Sequence, residues 1–395
     1  MANQVDDSSQ QRPAYWGAVF AMTLCVFALI ASEFMPVSLL TPIAGDLRVS
    51  QGWAGYGIAI SGTFAVITSL SITSLVSTMN RKTLLLLLTG LMCLSGAVIG
   101  LAPNYITYMI GRALIGMVIG GFWSMSAAVA MRLVPTRGVP KALAIFNGGN
   151  ALATVVAAPF GSYLGGVIGW RGAFFCLVPI ALIALAWQWI SLPSIEAVPR
   201  KAGRNTVFGL LKTPLVAFGM LGVGTFFTGQ FILFTYVRPF VETVTQVDIS
   251  TLSIILLVIG IAGFIGTILI GAFLKFGLYR ILILIPIVMS IIAVGLIIFG
   301  NGLAMAFILL GLWGLMATAA PVGWWSWLAL SLPKDAETGG GLMVAVIQLS
   351  IALGSTIGGI LYDGRGYSTT FVTSAVVLLI AACLAFFAYK ASLRH

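Results

Sequence analysis

Charge is what this chain has least of. Asp, Glu, Lys and Arg make up 8% of its 395 residues, against about 25% in an average soluble domain. A water-soluble fold of this length could not cover its surface with so few, so the chain reads as a membrane protein. Histidine occurs once, at the final position, His395, which leaves no imidazole for catalysis or metal binding within the apolar segments. The four cysteines, Cys25, Cys93, Cys176 and Cys383, fall in four different apolar runs without metal-ligand spacing and read as reduced packing residues. No G-x-x-x-x-G-K-[ST] phosphate loop is present. Nor does any acidic cluster or nucleophile–base pair stand within an apolar run. An enzyme, a metalloprotein and a cofactor-dependent protein are all disfavoured on these grounds. The net charge of +10 would suggest nucleic acid in a soluble protein. Here the lysines and arginines sit in gaps between apolar runs, so no nucleic-acid partner is expected.

What the chain has is hydrophobicity: 60% of residues are apolar or aromatic, and the mean hydropathy is +1.09. A helix needs about 20 apolar residues to cross the hydrocarbon. Twelve such runs are present, at about 16–40, 52–77, 83–102, 104–131, 140–168, 171–192, 214–240, 251–275, 280–300, 303–332, 338–362 and 368–390. No segment alternates with period two, which excludes a β-barrel. Residues 1–14 are polar, and the first run is too long for the core of a cleaved signal, so it is read as a retained span.

The loop charges predict an orientation. With the N-terminus inside, fifteen basic residues fall on the inner side, among them Arg81, Lys82, Arg132, Arg137, Lys141, Arg200, Lys201, Arg204 and Lys212. Four, Arg48, Arg171, Arg238 and Arg365, fall on the outer side. Positive charge marks the cytoplasmic side, so both termini are expected there. The longest interior polar stretch, Pro193–Pro214, separates spans six and seven. The expected organisation is a cytoplasmic tail (1–14), a six-helix bundle (15–193), a cytoplasmic linker (194–213) and a second six-helix bundle (214–395). A weak echo between Ala144-Ile145-Phe146-Asn147 and Ala345-Val346-Ile347-Gln348 agrees with repeated halves.

Two ionisable residues stand alone inside apolar runs: Glu33 in span one and Arg112 in span four. A charge in hydrocarbon costs several kcal/mol, so its presence marks function by default. With opposite span directions, both lie roughly 10–12 Å below the outer surface at a 1.5 Å rise per residue, close enough to meet directly or through water. A carboxylate whose access and partners change between two conformations would take up a proton on one side and release it on the other. Glu33 is the expected proton carrier, with Arg112 tuning it or stabilising the empty site. The alternative is a structural ion pair between spans one and four.

Other residues allow two readings. Gly116-x-x-x-Gly120, Gly161-x-x-x-Gly165-x-x-x-Gly169 and Gly354-x-x-x-Gly358 present small faces, suited to static packing or to a sliding contact. Pro159, beside the Gly161 and Gly165 ladder, is the favoured hinge. The intramembrane amides Asn147, Asn150, Gln230 and Gln348 are either interhelical glue or substrate contacts. Gln188, near the inner end of span six, reads as interfacial. Trp324, Trp325 and Trp327 suit an interfacial belt. Trp123, Phe227 and Tyr236 are candidate stacking partners.

Gly111-Arg112-Ala113-Leu114-Ile115-Gly116 followed by Gly120-Gly121 resembles the span-four motif of the major facilitator superfamily. Ala158-Pro159-Phe160-Gly161 with Gly165, then Gly169-Trp170-Arg171, resembles the span-five and span-six signatures of its drug–proton antiporters. Glu33-Phe34-Met35-Pro36-Val37 is similar to span one of its sugar and drug efflux branch. The loop after span two departs from the superfamily pattern: Ser77-Thr78-Met79-Asn80-Arg81-Lys82 keeps the basic pair but lacks the glycine and the acid of that loop's charge relay. The resemblance implies the major facilitator fold, two six-helix halves with spans one, four, seven and ten around a central cavity. That arrangement favours Trp123, Gln230 and Trp324 as cavity contacts. It implies proton antiport without a cofactor, a multi-pass protein of the bacterial inner membrane, and one chain sufficient as a monomer. Stretches such as 120–135, 229–239 and 320–328 resemble exporters of purine ribonucleosides, inosine- or guanosine-like. Efflux of sugars or amphipathic drugs is the neighbouring expectation. A membrane sensor descended from a transporter is the expectation from another class.

Overall fold

A computed structural model describes residues 14–76, 78–196, 207–332 and 336–393. Most of the expected tail and half of the expected linker lie outside the described residues, and so do Arg200, Lys201, Arg204 and His395. Among the described residues the regular structure is helical. Eleven helices of fifteen or more residues follow in order: α1 (Trp16–Ser38), α2 (Gln51–Leu75), α3 (Arg81–Gly100), α4 (Tyr105–Trp123), α5 (Val139–Phe175), α6 (Leu177–Ser191), α7 (Pro214–Phe234), α8 (Ile249–Phe273), α9 (Leu278–Phe299), α10 (Leu303–Ser331) and α11 (Ala336–Ser392). Their apolar residues run around the whole circumference, the pattern of helices whose outer face meets lipid.

Polar residues stand where the chain begins its helices. Ser50, Asn80, Asn104 and Asp248 cap α2, α3, α4 and α8. They accept from the backbone N–H of Trp53 (3.2 Å), Lys82 (2.9 Å), Thr107 (3.0 Å) and Thr251 (3.0 Å), satisfying donors that the first helical turn leaves free. The hydroxyl and the N–H of Thr251 hold the Asp248 carboxyl below the ordinary carboxylate range.

Among the described residues ten segments are long and apolar enough to cross a membrane. Two of them, Lys141–Ser191 (51 residues) and Gly339–Ser392 (54 residues), are more than twice a single crossing. Each contains one glycine in the left-handed region, Gly169 and Gly366, both with φ of 77°. Glycine takes that φ at no steric cost, and the helix axis changes direction at each. Counting each long segment as a pair gives the twelve expected spans. The break in α5 falls at Gly169, while Pro159 sits inside its continuous part.

Small residues decide which spans touch. In the first six, a Cβ on Gly116 would stand 2.2 Å from the Ser61 carbonyl oxygen, and one on Gly165 2.3 Å from Leu39 Cδ2; four packs on two, and five on one. The pattern repeats in the last six. Gly314 meets the Ile259 carbonyl at 2.3 Å, and Gly354 the Thr228 carbonyl at 2.6 Å; ten packs on eight, and eleven on seven. Between the two sets, α2 packs on the first part of α11, and α5 on α8. The most apolar stretches of span one and of the Pro214–Thr245 segment are 72% and 67% buried, against 33–56% elsewhere, so these two equivalent helices are central.

Two sequence expectations need correction. Trp324 and Trp327 are not interfacial: they are 2% and 0% exposed, while Trp325 is 42% exposed. Gly219 and Gly222 of α7 make the room, with a Cβ on Gly219 falling 1.9 Å from the Trp327 ring. Gln188 is likewise fully buried. Its Oε1 accepts from the Thr89 hydroxyl at 3.2 Å, and Cys25 Sγ lies 3.4 Å from that Thr89 hydroxyl oxygen. The face of α6 that carries Gln188 packs on α1 and α3 rather than meeting headgroups.

Candidate functional site

Glu33 and Arg112 lie against each other, and both are buried (6% and 0% exposed). Their contact is not a carboxylate–guanidinium pair. Arg112 donates through Nε to the Gly57 carbonyl (2.9 Å), through Nη1 to the Ser32 carbonyl (2.8 Å), and through Nη2 to Ser61 Oγ (2.9 Å) and the Glu33 main-chain carbonyl (3.3 Å). The fork of a guanidinium suits this task, because its five N–H groups spread in a plane. Carbonyl dipoles of α1 and α2 thus solvate the cation in place of water.

The Glu33 carboxylate meets a neutral partner instead. Gln348 Nε2, from α11, donates to Glu33 Oε1 at 3.2 Å across 315 residues. Beside this bond Phe34 stacks on Phe231 of α7, with centroids 6.1 Å apart and planes at 28°. Two carboxamide oxygens here, Gln348 Oε1 and Gln230 Oε1, are buried without a hydrogen-bond partner among the described residues. Such atoms cost free energy unless something fills them.

The remaining candidates separate. Asn150 is half-buried and Asn147 exposed. Trp123 is half-buried and edge-on to Phe146 at 6.2 Å. Trp324 is edge-on to Trp327 at 5.9 Å and belongs to the packing of the last six spans. Phe227 is edge-on to Phe226 at 5.5 Å. Tyr236 has neither its face nor its hydroxyl free: it stacks on Tyr362 at 5.2 Å and donates to the Ser355 carbonyl at 2.8 Å. Gly161 fits against Met35 and Ser38, and Gly165 against Leu39, so the ladder beside Pro159 rests on α1.

Tyr236 belongs to a cluster that the sequence does not reveal. At the end of the bundle holding residues 38–52, three charged side chains join the first six spans to the last six. Arg238 donates to the Ser38 carbonyl and to Glu242 Oε1 (2.7 Å). Glu242 Oε2 accepts from the Thr41 hydroxyl (2.5 Å). Asp363 accepts from the Gly52 N–H (2.9 Å) and from the Ser50 hydroxyl, at the N-terminus of α2. Arg238, counted from sequence among the outer loop charges, is only 5% exposed; its pairing with Glu242 one turn away supports that burial. The spacing of Arg238 and Glu242 was the available signal. At the same end Asp46 pairs with Arg171 at 2.5 Å. Among the described residues no three His, Cys, Asp or Glu side chains gather as metal ligands would.

The sequence model of the Major Facilitator Superfamily matches residues 22–341. A protein of Pseudomonas aeruginosa named "Transcription regulatory protein OpdE" is 60% identical over 390 residues, 97% of each chain. The "Purine ribonucleoside efflux pump NepI" of Salmonella enteritidis PT4 is 39% identical over 367 residues, 93% of this chain and 92% of that one. Among solved structures, a bacterial homologue of the human lysosomal transporter Spinster, inward-facing and unoccupied, aligns with a TM-score of 0.79 at 18% identity, covering 97% of this chain and 98% of that one. The nucleoside transporter NupG aligns with a TM-score of 0.78 at 12% identity, covering 94% and 99%. At those identities the two structures speak for the fold alone.

Proposed function

The chain belongs to the Major Facilitator Superfamily, and we propose that it is a secondary exporter of purine ribonucleosides driven by proton antiport. The resemblance read from Gly111-Arg112 and Ala158-Pro159-Phe160-Gly161 points the same way. One observation carries the proposal: the Glu33 carboxylate lies between the two sets of six spans, with a carboxamide rather than a cation on it. A group so placed can change its proton without breaking an ion pair. Movement of the two sets would expose it to each side in turn. By the charge asymmetry the end closed by Arg238, Glu242 and Asp363 is the outer one, so the state described here is read as open to the cytoplasm, with both termini there. The reading includes two six-helix bundles joined by the 194–213 segment, Pro159 as hinge, a bacterial inner membrane and a monomer.

The substrate class rests on the relative named as a purine ribonucleoside efflux pump. It agrees with a site that offers Gln230 and Gln348 as hydrogen-bonding groups and Phe34 and Phe231 as apolar faces. The driving force suffices. One charge moved through 100 mV yields about 2.3 kcal/mol and each pH unit about 1.4 kcal/mol, enough for a gradient of roughly a hundredfold or more. Radiolabelled inosine flux in proteoliposomes with an imposed pH gradient tests the proposal. The wild-type protein should accumulate inosine against its gradient and the Glu33→Gln variant should not; uphill pumping by that variant defeats the reading. A panel adding guanosine, adenosine, arabinose and a cationic drug resolves the neighbouring substrate classes.

The relative named as a transcription regulatory protein favours a second reading, a membrane sensor on a transporter scaffold. Intact nucleoside binding without pH-driven flux would support it.

A further inference from the structure

Antiport requires a rule: the carrier must not change state when empty and unprotonated, or the proton gradient leaks. We propose that Gln348 enforces this rule as a lock that holds the empty carrier closed at the Arg238–Asp363 end while Glu33 is ionised. The inference rests on the proton-antiport reading above and names the positioning residue that it requires.

The bond from Gln348 Nε2 to Glu33 Oε1 joins α11 to α1. On that same helix, four turns on, Asp363 holds the N-terminus of α2 through Gly52. Between them a Cβ on Gly62 of α2 would stand 2.8 Å from the Gln348 carbonyl oxygen. The lock therefore sits on the contact that must part when the closed end opens. A hydrogen bond to an ionised carboxylate is roughly twice as strong as one between neutral groups. The same geometry therefore holds firmly when Glu33 is charged and weakly when it carries a proton.

The amide also has a free half. Gln348 Oε1 is buried and without a partner among the described residues. Two events can release the lock. A proton arriving on a Glu33 oxygen converts that oxygen from acceptor to donor, and the carboxamide can turn its oxygen towards the new O–H; when the proton leaves to the other side, the N–H bond reforms. Alternatively, a ligand with a hydrogen-bond donor engages Gln348 Oε1 and draws the amide from Glu33. Proton and ligand thus unlock one bond, each without the other, and the empty ionised carrier stays shut. The charged group facing Glu33 is Arg112 of α4, which holds its main-chain carbonyl. Tyr108, on the same helix, is turned against Gly57. Lys141 and Arg171 of α5 stand at that helix's two ends, Lys141 over Trp16 and Arg171 on Asp46. None of these supplies an alternative lock on the carboxylate.

The test uses the full chain in proteoliposomes, with spin labels on Leu101→Cys and Leu303→Cys, two exposed positions, in a Cys176→Ser, Cys383→Ser background. The distance distribution between the labels is read without substrate at alkaline and at acid pH. In the otherwise wild-type protein acid should shift the distribution towards the open end. Gln348→Met should show the shifted distribution at both pH values, and Gln348→Asn should restore part of the response. The pH-driven inosine accumulation of Gln348→Met should also fall at least tenfold. A Gln348→Met protein that responds to pH as wild type does, or a wild-type protein with no response, overturns the proposal. If Gln348→Met does not reconstitute, Gln348→Asn decides by the same comparison: an intermediate response supports the lock and an unchanged one overturns it. If wild type moves no inosine but its labels respond to pH, the functional reading fails and the lock stands.

Discussion

Arg112 gives its Nη2 to the main-chain carbonyl of Glu33, not to the carboxylate. The two charges that stand out in the sequence are therefore neighbours with separate tasks. Arg112 ties α1 to α2 through Ser32, Gly57 and Ser61, whereas the Glu33 side chain reaches towards α11.

That separation predicts a split in stability. Hydrogen bonds to a buried charge contribute about 1.5–3 kcal/mol each, and a lysine cannot reproduce a guanidinium fork. Arg112→Lys should lower the melting temperature in detergent by many degrees, with a loss of about 3–5 kcal/mol. Glu33→Gln keeps the shape of the side chain and its contact with Gln348, and should melt within about 1 kcal/mol of wild type. Fluorescence-detected size exclusion after heating measures both. Equal losses would return Glu33 to a structural role.

The closed end makes a second prediction. Glu242 and Asp363 each bond across the two sets of spans, to Thr41 and to Gly52. Neutralising either, as Glu242→Gln or Asp363→Asn, weakens a charge-assisted bond by about 1.4 kcal/mol, a tenfold shift towards opening. Ser355 is fully buried beneath Tyr236. A Ser355→Cys thiol should react with a membrane-impermeant reagent about tenfold faster in either background. An unchanged rate would mean that these carboxylates do not hold the end shut.

The glycines divide into two classes by what a side chain would meet. At Gly116 a methyl group would sit 2.2 Å from the backbone of Ser61, while at Gly271, inside α8, nothing lies within 4 Å. Gly116→Ala should cost about 1–3 kcal/mol through overpacking. Gly271→Ala should be neutral or stabilising by about 0.5–1 kcal/mol, because a helical glycine carries excess chain entropy. Thermal melts of the two variants give opposite signs if static packing is the reason for the first glycine.

Much of this was legible in the sequence, for physical reasons that also mark the limit. Hydropathy counts spans because a bilayer has a fixed thickness, and a lone charge in an apolar run is conspicuous, so Glu33 and Arg112 stand out. Arg238, Glu242 and Asp363 lie near span ends, where a buried residue and a loop residue look alike. Their burial depends on partners such as Ser38 and Gly52, 200 and 311 residues away. Trp324 and Trp327 were misplaced because Gly219 and Gly222, the residues that admit them, lie on another helix. That Glu33 meets Gln348 could be guessed from neither residue alone.

Gln230 offers a sharper test of the substrate site, because its two roles predict opposite signs. Its Oε1 is buried on α7 without a partner among the described residues. If the amide is only packing, replacing it with an apolar side chain removes an unsatisfied acceptor. Gln230→Leu should then raise stability, since an unpaired buried polar group costs about 1–3 kcal/mol, and transport should continue unaltered. If the oxygen waits for a donor on a nucleoside, the same variant still melts higher. Its KM for inosine, however, rises about tenfold, the worth of one hydrogen bond of about 1.4 kcal/mol, with the maximal rate little changed. We expect the second outcome, because an orphaned acceptor on one of the two central helices is costly to keep unless something in the transport cycle uses it. Measuring melting temperature and KM on one preparation separates the cases: a more stable protein with wild-type KM removes Gln230 from the substrate site.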